Sequence, residues 1–150
     1  MPADSRPVAA KRDRLTLKTL EAAYVAHTGD AVDAERAAYL AHAFEDYAAD
    51  ETPELGGPDL AASLATMWSE AKALPAGTPA QITVGPLLCA DGKPSGYDQV
   101  RLIQPDSPFL VDSVMGELAE AGVSVRGLYH PIAPGSSGRV STILVVIEPL

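Results

Sequence analysis

The last extended stretch of the chain, Val140 to Glu148, most limits how everything before it can fold. Val140, Thr142, Leu144 and Val146 alternate there with Ser141, Ile143, Val145 and Ile147, the period of two that marks a β-strand. Towards its end both sets are apolar, so this strand must be central or covered rather than an edge. Only one helix is predicted within residues 98–150, and one helix covers one face of a sheet. The second cover is expected from the helical first half folding across the other side, from another chain, or from sequence beyond Leu150; the demand suggests a fragment of a longer protein.

A chain of 150 residues holds one ordinary domain, or one domain with a small helical appendage. An apolar share of 47% supports a folded core, and with only 5% aromatic residues much of that core must be built from alanine and aliphatic side chains. Eleven Lys and Arg face 20 Asp and Glu, a formal charge of −9. Such a surface repels phosphate backbones, so nucleic acid is not an expected partner. The short basic run Lys11, Arg12, Arg14 reads as part of a solvated leader. One cysteine, Cys89, excludes an internal disulfide and a Cys-rich metal site. No apolar run reaches the roughly 18 residues of a membrane span, and residues 1–14 lack the hydrophobic region of a signal peptide. A cytoplasmic protein with no membrane partner is expected.

The order of elements follows from period and punctuation. Residues 1–14 read as a flexible leader and residues 15–76 as a helical segment. Its first helix starts at Thr16, carries Leu17, Leu20, Tyr24 and His27 on one face, and ends at Gly29. Its second starts near Asp33, with Ala37, Leu40, Ala41, Phe44 and Tyr47 as the apolar stripe. A loop is expected over Ala49–Gly57. Pro58 then suits the first turn of a third helix with Leu60, Leu64, Met67, Trp68 and Ala71 on its buried side. From residue 79 to 150 the period shortens. Strands are predicted over Gln81–Leu88, Asp98–Gln104, Val123–His130 and Val140–Glu148, with a turn at Asp91–Pro94 and a loop at Pro131–Gly138. Between the second and third strands a helix is expected, with Ser107 as N-cap, Pro108 at the first position and Asp112 in the first turn. Leu110, Val114, Leu118 and Ala121 are its buried face, and Gly122 stops it.

The stretch Tyr97-Asp-Gln-Val-Arg-Leu-Ile-Gln-Pro-Asp-Ser-Pro-Phe-Leu-Val-Asp-Ser-Val114 resembles the first ACT-like domain of the large bacterial NAD-specific glutamate dehydrogenases. The likeness continues through Glu117-Leu118, Gly122-Val123 and Leu128-Tyr129-His130-Pro131, and more loosely through Pro53, Asp59, Leu60 and Trp68 in the helical segment. It implies an α+β fold, with an N-terminal helical segment followed by a partial ACT-like, ferredoxin-like βαββ sheet with helix cover. It also implies a non-catalytic regulatory and assembly domain. The parent enzyme would bind NAD elsewhere and convert L-glutamate to 2-oxoglutarate and ammonia. Implied partners are the remainder of that enzyme, a further copy in a homo-oligomer, and a possible amino-acid effector. The alternative is a free-standing ACT-type amino-acid sensor or protein-interaction module.

Some ACT domains bind an amino acid near the loop between first strand and helix, here Gln104–Ser107. The candidate effector or interface residues are therefore Gln104, Asp106, Ser107, Phe109 and Asp112. Ligand-binding members typically carry glycine after the loop proline; Phe109 stands there in this chain, and its bulk is expected to fill the space a small ligand needs. Asp106 and Asp112 are expected to occupy the exposed N–H groups of the helix start, as caps. No residue is assigned a catalytic, cofactor or metal role. Ser107 and Ser113 sit in no Gly-x-Ser-x-Gly, and Gly56-Gly57 follows no strand and lacks the dinucleotide fingerprint. His27, His42 and His130 lack ligand spacing and read as structural or exposed. Cys89 reads as a small buried hydrophobe.

Overall fold

In a computed structural model, residues 16–43, 55–75, 77–135 and 138–150 are described. The leader expected over residues 1–14, the Phe44 and Tyr47 end of the second stripe, most of the Ala49–Gly57 loop, and Ser136-Ser137 lie outside the described residues.

Three helices come first. α1, Leu17–Thr28, starts on a reciprocal capping box: Thr16 accepts the Thr19 N–H at 3.1 Å while the Thr19 hydroxyl accepts the Thr16 N–H at 3.0 Å. Gly29 ends it at φ 76°, a left-handed position that glycine takes without strain. Its buried stripe is narrower than expected. Leu20 and Tyr24 face inward, whereas His27 is exposed. α2, Ala34–His42, is capped by Asp33, whose carboxylate accepts the Arg36 N–H at 2.8 Å. α3, Gly57–Ala73, has Pro58 in its first turn and buries Leu60, Leu64, Met67, Trp68 and Ala71 along one side, as the spacing predicts.

Five strands follow: β1, Gln81–Leu88; β2, Pro94–Pro105; β3, Val125–Tyr129; β4, Ile132–Gly135; and β5, Gly138–Ile147. The fourth helix, α4, Leu110–Glu120, lies between β2 and β3. All pairings are antiparallel in the order β1-β2-β5-β3, with β4 continuing the β3 side of β5. The β1–β2 hairpin closes on the predicted turn, where Gly92 at φ 86° donates to the Cys89 carbonyl at 2.9 Å. Asp59 of α3 accepts the Ala90 N–H at 2.8 Å and ties that turn to the helical layer.

Part of the loop predicted over Pro131–Gly138 is β4. Pro134 and Gly135 read as breakers, but here they sit in a strand of four residues, where a missing N–H is tolerated. Gly135 is required: a Cβ there would stand 2.5 Å from Val140 Cγ2 and 2.9 Å from the Gly138 carbonyl.

Every residue of β5 from Val140 to Ile147 is buried. Its two faces look into two cores. Leu144, Val146 and Val140 pack with Leu20, Tyr39, Leu64 and Trp68, so the helical first half is the second cover. Ile143, Val145 and Ile147 pack with Leu102 against Leu110, Val111, Val114 and Leu118 of α4. The helical segment and the sheet therefore share one core. Between them Arg101 of β2 reaches Glu70 of α3, Nε to Oε1 at 3.1 Å. The fold is α+β and ACT-like: N-terminal helices, then an antiparallel sheet with a helix on its other face.

Candidate functional site at the β2–α4 loop

β2 ends at Pro105, and the chain must turn away from the sheet before α4 begins. Two prolines three residues apart remove two N–H donors and fix two φ angles, so the turn is held by side chains. Asp106 is the main anchor. Its Oδ1 accepts the Ser141 hydroxyl at 2.7 Å, its Oδ2 lies 3.9 Å from Arg139 Nε, and its own N–H donates to the Arg139 carbonyl at 3.0 Å. Ser141 is fully buried, and its Oγ stands 3.2 Å from His130 Nε2. The loop is thus fastened to β5 by a chain of three polar groups, His130–Ser141–Asp106.

The order of that chain decides its chemistry. A nucleophilic triad needs histidine between serine and carboxylate, so that the hydroxyl can pass its proton to the ring. Here serine stands in the middle and donates directly to the carboxylate. Its hydroxyl is also shut away from solvent, so the arrangement positions the loop rather than attacking a substrate. Neither Ser141 nor His130 is singled out by spacing. The available signal is that Ser141 and Thr142 are polar residues at the head of an otherwise apolar strand, where each needs a hydrogen-bond partner. Thr142 finds one in the Pro131 carbonyl at 2.7 Å.

Three expectations about this loop are corrected. Ser107 is not the N-cap: α4 begins at Leu110 with Phe109 in the cap position, and no side chain caps it. The pair Pro108–Phe109 forms a turn first, and Ser107 is left 3.5 Å from Gln104 Nε2. Asp106 does not occupy the helix donors, because it is committed to β5. Asp112 does lie in the first turn, where its charge suits the helix dipole. Phe109 does not fill the loop. It adopts φ 63° and ψ 15° and is 77% exposed, so the backbone takes the left-handed conformation a glycine would take while the ring projects into solvent. Of the five expected residues, Gln104, Asp106 and Ser107 line the turn, and Phe109 and Asp112 mark the mouth of α4.

Among the described residues, concavities lie on both faces of the sheet. One, of about 380 Å³ beneath α3, is lined by Ser63, Thr66, Cys89, Gln99 and Arg101 among others, with Arg101 committed to Glu70. Cys89 is half-buried there, at the β1–β2 turn. Another, of about 320 Å³, is an apolar groove between α4 and β1. No helix among the described residues is long and apolar enough to cross a membrane.

Comparison with known proteins gives no significant match among curated proteins or among solved structures. A family model described as glutamate dehydrogenase, ACT1 domain, matches residues 39–140. The match runs from the end of α2 into β5 and takes in α3 and the β2–α4 loop, more than half of the chain. The chain belongs to the glutamate dehydrogenase ACT1 domain family.

Proposed function

We propose that the chain is the N-terminal regulatory and assembly domain of an NAD-specific glutamate dehydrogenase, carrying no part of the catalytic site. The observation behind this reading is the family match across residues 39–140. The geometry is in keeping with it. Of the groups that sequence reasoning examines for catalysis, His130 is engaged with Ser141 and Asp106 in holding the β2–α4 loop, which suits a domain that binds or transmits rather than reacts. The NAD and glutamate sites would belong to the larger remainder of the parent enzyme. An antiparallel sheet without a glycine-rich strand–turn–helix offers no pyrophosphate cradle, so no step of the parent reaction is assigned to these residues.

An amino-acid effector, if bound, would approach the backbone at Gln104–Phe109, since Phe109 leaves that space open. The test compares the parent enzyme with a form lacking residues 1–150, following glutamate oxidation with NAD and with NADP, molecular mass by light scattering, and the response to added amino acids. Fewer subunits per particle, or loss of effector response, with the reaction retained supports the reading. An unchanged subunit number, response and turnover would overturn it. Calorimetry of the 150-residue chain against an amino-acid panel separates the two roles: millimolar or tighter binding that Asp106→Ala abolishes places an effector at the loop, and silence leaves assembly as the function.

A further inference from the structure

The cavity beneath α3 is walled by three parts of the fold. α1 contributes His27 from its last turn, α3 contributes Ser63 and Thr66, and the β1–β2 hairpin contributes Pro86, Leu88, Gln99 and Arg101. Gln99 and Arg101 stand two positions apart on β2, so both side chains leave the sheet on the face that carries the helical layer. The space, about 380 Å³, is in the range of small-molecule sites. It is separate from the β2–α4 loop, since Gln99 stands about 20 Å along β2 from Pro105.

The fold does not use up the polar groups of this cavity. Gln99 is 8% exposed and its Nε2 donates to the Pro86 carbonyl at 3.1 Å, yet its Oε1 has no hydrogen-bond partner among the described residues. A buried acceptor in that state is costly, and a donor brought by a ligand recovers the cost. The Thr66 hydroxyl donates to the Ala62 carbonyl at 3.1 Å, which leaves its oxygen as a second acceptor. Ser63, one turn earlier, puts another hydroxyl on the same side of α3. Leu88, 47% exposed, and Pro86 supply an apolar wall.

Charge narrows the ligand further. Glu70 answers the Arg101 guanidinium, Nε to Oε1 at 3.1 Å and Nη2 to Oε2 at 3.2 Å, so Arg101 has little charge to spare for a carboxylate or phosphate. Among the described residues no carboxylate lines the cavity, so an ammonium finds no counter-ion. Two acceptors beside an apolar wall call for one neutral group with two donors, which an amide NH₂ supplies and a single hydroxyl does not. The chain's own remaining residues fit less well. Thr16, where the described chain starts, lies about 16 Å along α1 from His27. Leu150 donates to Asp98, whose side chain alternates to the opposite face of β2 from Gln99. The stretch 44–54 carries Glu45, Asp46, Asp50, Glu51 and Glu54, a charge with no free cation to meet it here. We infer that this cavity binds a small neutral molecule carrying a primary carboxamide on an apolar body.

The test follows backbone amide shifts of the whole 150-residue chain at neutral pH. The probes are benzamide, which is neutral with an NH₂ donor group, and benzoate and benzylammonium, which keep the ring but carry opposite charges. Saturable shifts at Ser63, Thr66, Leu88 and Gln99 with millimolar benzamide are expected, each charged analogue binding at least about tenfold more weakly. Gln99→Met keeps much of the volume and removes the acceptor, and should weaken benzamide at least about tenfold. Thr66→Phe, at an exposed position, should fill the cavity and abolish the shifts while circular dichroism stays unchanged; it decides the matter should Gln99→Met fail to fold. Absence of binding overturns the inference, and covers the case in which the chain's own residues occupy the cavity. So do shifts that map to the β2–α4 loop or the α4 groove, equal affinity for benzoate, or benzamide binding that survives Thr66→Phe.

Discussion

Phe109 is the only described residue other than glycine with a positive φ, and it pays for that conformation with little in return from packing. A left-handed backbone costs an L-residue roughly 1–2 kcal/mol, and a ring 77% exposed recovers little of it by burial. Phe109→Gly should remove the strain, offset in part by the greater freedom of glycine in the unfolded chain, for a net gain of about 0.5–1 kcal/mol. Phe109→Val should lose about as much, since a β-branched residue fits the position worse. Urea denaturation of the two variants decides it: if glycine destabilises, the ring has a packing role its exposure conceals. This residue also marks where sequence reading stops. Pro-Phe before an amphipathic stretch reads as a cap and a first turn, and nothing local announces a left-handed residue two positions past the expected cap. Asp106 shows the same limit. Its acid beside a helix start suggested capping, but its partners are Ser141, 35 positions later, and Arg139, neighbours only after β5 has paired with β2.

Among the elements, those with strong periods were legible and those set by long-range pairing were not. Val100 and Leu102 opposite Arg101 and Ile103, and the two alternating sets of β5, fall on the faces their parity requires. β4 was missed because Pro134 and Gly135 outweigh two apolar residues in any local reading, whereas pairing with an already formed β5 outweighs both. The two-sided cover of β5 gives a sharper test than its pattern does. Ile143 looks to α4 and Leu144 to the helical layer, and both are fully buried. Ile143→Ala and Leu144→Ala should each destabilise by about 2–5 kcal/mol. Similar losses in chemical denaturation mean both covers are in place in solution; a loss below about 1 kcal/mol for Leu144→Ala would mean the helical layer does not pack on the sheet.

At the scale of the whole molecule, stability should depend on pH through the helical layer. Tyr39 of α2 donates to the Leu64 carbonyl of α3 at 2.7 Å and meets Trp68 edge-on with ring centroids 4.9 Å apart. Burial, the largest cause, pushes the Tyr39 phenol far above its ordinary value, and Tyr24 is raised for the same first reason. A raised folded pKa means that stability is fully present below the unfolded value of about 10 and is lost as pH rises beyond it. Thermal unfolding midpoints should therefore fall above about pH 10, and Tyr39→Phe should flatten that fall; an unchanged slope would place the alkaline transition elsewhere. The same layer decides whether the sheet can stand alone. Residues 79–150 hold all five strands and α4, yet without α1 to α3 they would expose Leu87, Ile103, Tyr129, Leu144 and Val146 along one continuous face. Patches of that kind are rarely left open on soluble monomers, and so small a domain has little core to spare. The isolated segment should bind a hydrophobic dye and unfold without a cooperative transition, and adding residues 15–78 as a separate chain should restore cooperativity if the helices recognise the sheet by packing alone. A cooperatively folded, monomeric 79–150 would show instead that one cover suffices, and that the helical layer serves some purpose other than closing the core.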